Sequence, residues 1–142
     1  MRQGISLLEV VTVLAIVGVM MAIAVPRIAS WTDRIAVERA TGEVMAFYWR
    51  ARMNAMFRGT RVRLEFNPDS LKAFFEGVTD SLFLGQPGPS RHGVSLRISR
   101  SVIRIYPSGL GLGAANSKLV FQRGAAAESL TTSRLGRMKR WE

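Results

Sequence analysis

From Ile5 to Val25 the chain reads ISLLEVVTVLAIVGVMMAIAV, an apolar stretch interrupted by one charge, Glu9. As a helix rising about 1.5 Å per residue it reaches roughly 30 Å, the thickness of a bilayer's hydrocarbon core. Apolar residues cover every face, so the rod belongs in lipid or against similar helices. A soluble core helix is the alternative, but a chain of 142 residues has little else with which to cover it. The stretch therefore predicts a membrane-spanning helix near the N-terminus.

Two features set this stretch apart from a secretory signal. Only Met1-Arg2-Gln3-Gly4 stands in front of it, and no small-residue cleavage site follows. Glu9 lies in the first turns, where an unpaired carboxylate in lipid is costly and calls for a partner. A cut after Gly4 would leave the α-amine of Ile5 about one helical turn from Glu9. A neighbouring subunit's amine would serve equally and would fix the axial register of a helical assembly. The alternative is a carboxylate that snorkels to the interface from the helix end.

Gly4-Ile5-Ser6-Leu7-Leu8-Glu9, the apolar stretch and Pro26 resemble the class III leader and N-terminal helix of type IV pilins and type II secretion pseudopilins. The resemblance implies cleavage after Gly4 by a prepilin peptidase and methylation of the new amine on Ile5. Glu9 then stands at the fifth mature position and Pro26 at the twenty-second, as in the family; Ile5 replaces the commoner phenylalanine. It also implies a single-pass protein of the bacterial inner membrane, with a periplasmic head that later enters a filament beside other pilins or pseudopilins. Charge counting favours the opposite orientation, since Arg27, Arg34 and Arg39 follow the span and only Arg2 precedes it. The family orientation is adopted because leader processing requires it.

Pro26 removes one helical hydrogen bond and is expected to loosen the helix without ending it. Beyond it Ile28, Trp31, Ile35, Ala40, Val44, Phe47, Ala51 and Ala55 recur mostly at steps of three and four, with Arg34, Glu38, Arg39, Glu43, Arg50 and Arg52 between them. The pattern predicts one helix from Glu9 to Phe57, stopped by Gly59. Its aromatic residues Trp31, Phe47, Tyr48 and Trp49 read as core packing. Short alternating runs follow at 60–66, 71–75, 94–99, 102–106, 118–122 and 129–133, with a last strand starting near Leu135 and closing at Trp141. Asn67-Pro68, Pro107-Ser108-Gly109 and Gly124 mark turns, and residues 85–93 (GQPGPSRHG) read as a flexible loop. The expected architecture is α+β: leader 1–4, membrane half of the helix 5–25, amphipathic half 26–58, and a head with an antiparallel sheet over 59–142.

The C-terminal residues carry a second resemblance. Gly124, a strand, and Ser133-Arg134-Leu135-Gly136-Arg137-Met138-Lys139 are similar to the closing hairpin of the GspH/FimT family of minor pseudopilins and minor pilins. Lys139 stands at the last basic place of the family's Gly-Arg-x-Arg-like ending. Charge is kept there, while the bidentate geometry of arginine is lost.

Catalytic chemistry finds no footing. The chain has no cysteine, which excludes disulfides, thiolate metal sites and Cys nucleophiles. Its single histidine, His92, reads as a solvated loop residue, and nothing arranges Ser90, Ser95 and Asp80 as a triad. Gly109-Leu110-Gly111-Leu112-Gly113 lacks the strand–loop–helix context of a phosphate loop and reads as turn glycine. Glu65, Asp69, Glu76 and Asp80 interleave with strand and turn positions. The expectation is therefore no catalytic residue, no metal and no cofactor.

Charge is the remaining signal. The formal balance is +10, and ten of the 20 basic residues follow residue 90, where only Glu128 and Glu142 oppose them. Arg97 and Arg104 alternate with apolar strand neighbours, Arg100 falls at a turn, and Arg134, Arg137, Lys139 and Arg140 lie near the chain end. On one face these residues would track phosphates without reading sequence. The resemblance to the FimT branch implies that double-stranded DNA is a candidate partner. A solvated basic surface, acidic neighbouring subunits or a secreted cargo remain the alternatives.

Overall fold

The computed structural model describes residues 6–111 and 116–141. Gly4 and Ile5, the expected processing site, and Leu112 and Gly113 of the glycine run lie outside the described residues. One α-helix among the described residues, α1, spans Leu7–Arg58 with Pro26 inside it. It starts where the N–H groups of Glu9 and Val10 converge on the Ser6 carbonyl, at 3.0 and 3.2 Å. It stops at Gly59, whose φ of +60° lets Thr60 N–H fold back to the Ala55 carbonyl at 3.2 Å.

The chain divides into two units at Thr32/Asp33. In the first, every described side chain is exposed, including Leu14, Ile16, Val19, Met20 and Ile23. Three of its hydroxyls are turned onto the helix itself: Thr12 donates to the Leu8 carbonyl, Ser30 to Arg27 and Thr32 to Ala29. Polar groups that satisfy themselves in this way are compatible with a surrounding that offers no water.

In the second unit, α1 buries Val37, Ala40, Thr41, Val44, Phe47, Tyr48, Ala51 and Ala55. The small residues let strands approach the helix closely, while Phe47 meets Phe66 edge-to-face at 5.9 Å. The expected stripe is therefore correct from Ala40 onward. Ile28 and Trp31 do not belong to it: both are exposed, because the helical spacing that marks the core face begins before the head does. Phe47 and Tyr48 pack in the core and Trp49 borders it, as expected of the aromatic residues, with Trp31 the exception.

Among the described residues eight strands form two antiparallel four-stranded sheets. They are β1 (Val62–Phe66), β2 (Ser70–Phe75), β3 (Ser81–Pro87), β4 (Ser95–Ile98), β5 (Val102–Ile105), β6 (Ser117–Arg123), β7 (Ala126–Thr132) and β8 (Met138–Trp141). The first sheet has the order β3-β2-β1-β5 and the second β4-β6-β7-β8. Alternate residues point inward: Val62, Leu64 and Phe66 from β1, Leu119 and Phe121 from β6, Leu130 from β7. These join the α1 stripe in one hydrophobic core.

Residues 85–93 depart from the loop expected there. Gly85 to Pro87 complete β3, and Pro89–His92 form a 3-10 turn. Gly88 and Pro89 are buried, and Ser90 N–H donates to the Pro68 carbonyl at 3.0 Å. β3 is an edge strand with no clean alternation, and its Pro87 is tolerated because an edge need not donate at every residue.

Candidate functional site

Glu9 is exposed on the first turns of α1 among Leu7, Leu8 and Val10, and pairs with no cation among the described residues. Pro26 lies in the same exposed segment.

In the head, ion pairing separates two kinds of cation. The part of α1 that packs on the sheets carries three carboxylates, and each meets a basic residue from the sheet side. Asp33 lies 2.9 Å from Arg123 Nε, Glu38 lies 3.7 Å from Arg140, and Glu43 holds both Arg91 and His92, the latter at 3.1 Å. His92 is thus half-buried against Glu43, not a solvated loop residue. Gly124 makes the Asp33 contact feasible: its φ is +54°, and any Cβ there would strike the Asp33 carboxylate. Arg140 makes its shorter pair, 2.6 Å, with Glu128, a carboxylate only 9% exposed. Arg104 donates to Glu76 at 2.7 Å. Among the remaining carboxylates, Glu65 and Asp80 share Arg63, and Asp69 accepts from Ser90. Among the described residues no group of acidic residues and histidine is disposed to hold a metal.

Six basic residues after residue 90 have no carboxylate within ion-pairing distance among the described residues: Arg97, Arg100, Lys118, Arg134, Arg137 and Lys139. All six are exposed. The register of the second sheet gathers them. Lys118 on β6 stands opposite Thr131 on β7, which stands opposite Lys139 on β8. The next row runs Arg97, Val120, Ser129, Trp141. Arg100 lies at the same end, its carbonyl accepting from Ser117 Oγ at 3.2 Å. Arg134 and Arg137 lie in the turn that continues from Thr132, the partner of Ser117. Lys139 Nζ sits 3.8 Å over the Trp141 ring, and Trp141 Nε1 donates to Thr131 Oγ1 at 2.9 Å. The outward-facing residues of these strands include no acid.

Of the seven expected phosphate contacts, then, Arg97 and Lys139 stand on the outer face of the second sheet, and Arg100, Arg134 and Arg137 lie at the end of it where Ser117 pairs with Thr132. Arg104 belongs to the first sheet and holds Glu76, while Arg140 points the opposite way from Lys139, toward Glu128. Lys118 and Trp141 complete the face and were not among the sequence candidates. The signal for Lys118 was present, since inward Leu119 and Phe121 leave it facing outward.

A long apolar N-terminal helix followed by a head of antiparallel sheets is the pilin-like fold. Two fimbrial proteins of Pseudomonas aeruginosa are each 32% identical to the chain over 90 residues, which is 63% of it. The match covers 57% of each of them, so the chain spans little more than half the length of these relatives. The fold is similar to that of the Pseudomonas aeruginosa type IV minor pilin FimU in two crystal forms. One superposes with a TM-score of 0.66 at 12% identity, over 77% of this chain and 90% of that one. The other gives 0.62 at 11% identity, over 74% and 92%. No protein-family model matches the chain.

Proposed function

We propose that the protein is a structural subunit, a minor pilin or pseudopilin of GspH/FimT type, that is processed at Gly4/Ile5 and assembled into a type IV pilus or type II secretion filament. The observation that carries this reading is the unburied apolar first unit of α1, in which Glu9 stands among aliphatic side chains and pairs with no cation among the described residues. Residues 5–25 hold the subunit in the inner membrane and later in the filament core, Glu9 pairs with an N-terminal amine, and the head faces the periplasm. No catalytic step enters the role. Co-expression with a prepilin peptidase tests it: the mature chain loses residues 1–4 and gains one methyl group on Ile5, read by intact mass. A chain of unaltered mass beside an active peptidase contradicts the proposal.

A second reading rests on the six basic residues on and beside the second sheet that meet no carboxylate among the described residues. Among the described residues that face carries positive charge, hydroxyls and one indole but no carboxylate, which suits a phosphate backbone read without sequence preference. The full chain in detergent should bind duplex DNA with an affinity that falls steeply as salt rises. Neutralising Lys118, Arg137 and Lys139 together should lower the log–log salt slope by about 3, at roughly 0.9 per lost phosphate contact. Binding with no salt dependence, or a slope unmoved by the triple variant, removes this reading.

A further inference from the structure

The segment just past the apolar stretch has an unusual composition for its exposure. The stretch ends at Val25, and Pro26-Arg27-Ile28-Ala29-Ser30-Trp31-Thr32 continues in the same helix, within the first unit. Ile28 is 60% exposed and Trp31 67% exposed, so neither finds a core to enter. Arg27 has no carboxylate partner among the described residues, and it shares a helix face with Trp31 at the i, i+4 spacing. Ser30 and Thr32 have turned their hydroxyls onto the carbonyls of Arg27 and Ala29, at 2.9 and 2.8 Å. What remains presented is one guanidinium, one indole with its N–H donor and one aliphatic side chain.

We propose that Arg27, Ile28 and Trp31 form a belt that seats the end of the span in a layer of anionic phospholipid headgroups. The inference rests on the membrane-anchor reading above and deepens it by naming the lipid chemistry and the residues that meet it. Distance supports the placement. At about 1.5 Å per residue, Arg27 stands roughly 3 Å and Trp31 roughly 9 Å beyond Val25. Helical side chains lean back toward the N-terminus, which brings the indole nearer the hydrocarbon edge. The polar zone on each side of a bilayer is about 5–8 Å deep. Tryptophan favours that zone because its ring is apolar and its N–H is a donor, and a guanidinium there reaches lipid phosphate in bidentate geometry. Continuity with the apolar span and the unopposed charge of Arg27 both favour an anionic lipid surface over a neutral one.

The test uses the full-length chain with Trp49→Phe and Trp141→Phe, which leaves Trp31 as the sole indole of the original three. It is reconstituted in phosphatidylcholine vesicles with and without phosphatidylglycerol and recovered by flotation. In the anionic vesicles Trp31 emission should shift to the blue and lose its quenching by acrylamide. Lipid brominated near the glycerol backbone should quench it more strongly than lipid brominated near the chain end. Arg27→Gln should abolish the difference between anionic and neutral vesicles. A floated chain whose Trp31 is quenched by acrylamide as fully as free tryptophan overturns the inference while leaving the anchor intact. A chain that does not float overturns the anchor reading itself. If the Phe substitutions disturb the head, Ile28→Cys with a spin label reports the same depth, since the chain has no native cysteine.

Discussion

Replacing Arg140 with Met separates a structural cation from a surface one within a single strand. In the native head Arg140 Nη2 lies 2.6 Å from Glu128 Oε1, and the Glu128 side chain is only 9% exposed. Glu38, the second carboxylate near Arg140, lies 3.7 Å away and is 59% exposed, so it contributes little. Removing the guanidinium leaves the Glu128 carboxylate out of water with its principal counter-charge gone. Breaking a buried pair in this way costs about 3–5 kcal/mol; because the Arg140 side chain keeps 27% exposure, the lower end applies, about 3 kcal/mol. For a domain of this size that corresponds to a fall in melting temperature of roughly 10–20 °C. The neighbouring Lys139→Met variant, on the outer face, should stay within about 0.5 kcal/mol of the parent. Glu128→Gln added to Arg140→Met removes both charges and should recover much of the loss. Thermal unfolding in detergent, followed by near-ultraviolet circular dichroism, reads all three. Equal and small effects for Arg140→Met and Lys139→Met would refute the reasoning, as would a double variant less stable than the single one.

Two further outcomes follow from the packing of α1. Gly124→Ala forces a side chain into positive φ and into the Asp33 carboxylate, so it should destabilise the head by about 1–3 kcal/mol, read as a shifted urea midpoint; an unchanged midpoint contradicts the Asp33–Arg123 placement. Burial raises the Tyr48 phenol above its ordinary value, with the Arg52 guanidinium opposing part of the shift. The unfolded chain therefore loses this proton first, and the contribution of Tyr48 to stability is intact below about pH 10 and is lost as pH rises through the folded-state value. Tyr48→Phe should flatten the alkaline loss of stability in urea titrations; identical alkaline slopes in the two proteins argue against the burial of that hydroxyl.

The sequence made the helix legible because its signals are local: an uninterrupted apolar run, then a 3–4 spacing, then glycine at the stop. The same spacing misassigned Ile28 and Trp31, since periodicity marks a face but not where a partner for that face begins. β3 escaped notice because its pairing comes from β2, across a register shift at Ala73/Phe74, and its own residues do not alternate. The glycines and prolines of residues 85–93 read as a flexible loop, yet at Gly88 any Cβ would strike the Pro68 carbonyl. The charged face was half legible. Alternation placed Arg97 outward, and applied to β8 it would have placed Lys139 outward and Arg140 on the side of inward Met138. What no local pattern shows is which carboxylate stands opposite: the pairs Arg104–Glu76, Arg123–Asp33 and Arg140–Glu128 are fixed by strand and helix neighbours distant in sequence.

Glu9 is the residue on which the proposed assembly role turns, and sheared filaments are where it can be weighed. Wild-type chain and Glu9→Ala are expressed in a strain that builds the filament and lacks its own copy, and each is quantified in membranes and in sheared fibres. The account predicts that Glu9→Ala reaches the membrane and loses its leader but is missing from the fibres. Glu9→Ala recovered from fibres at the wild-type level would contradict the pairing of Glu9 with an N-terminal amine.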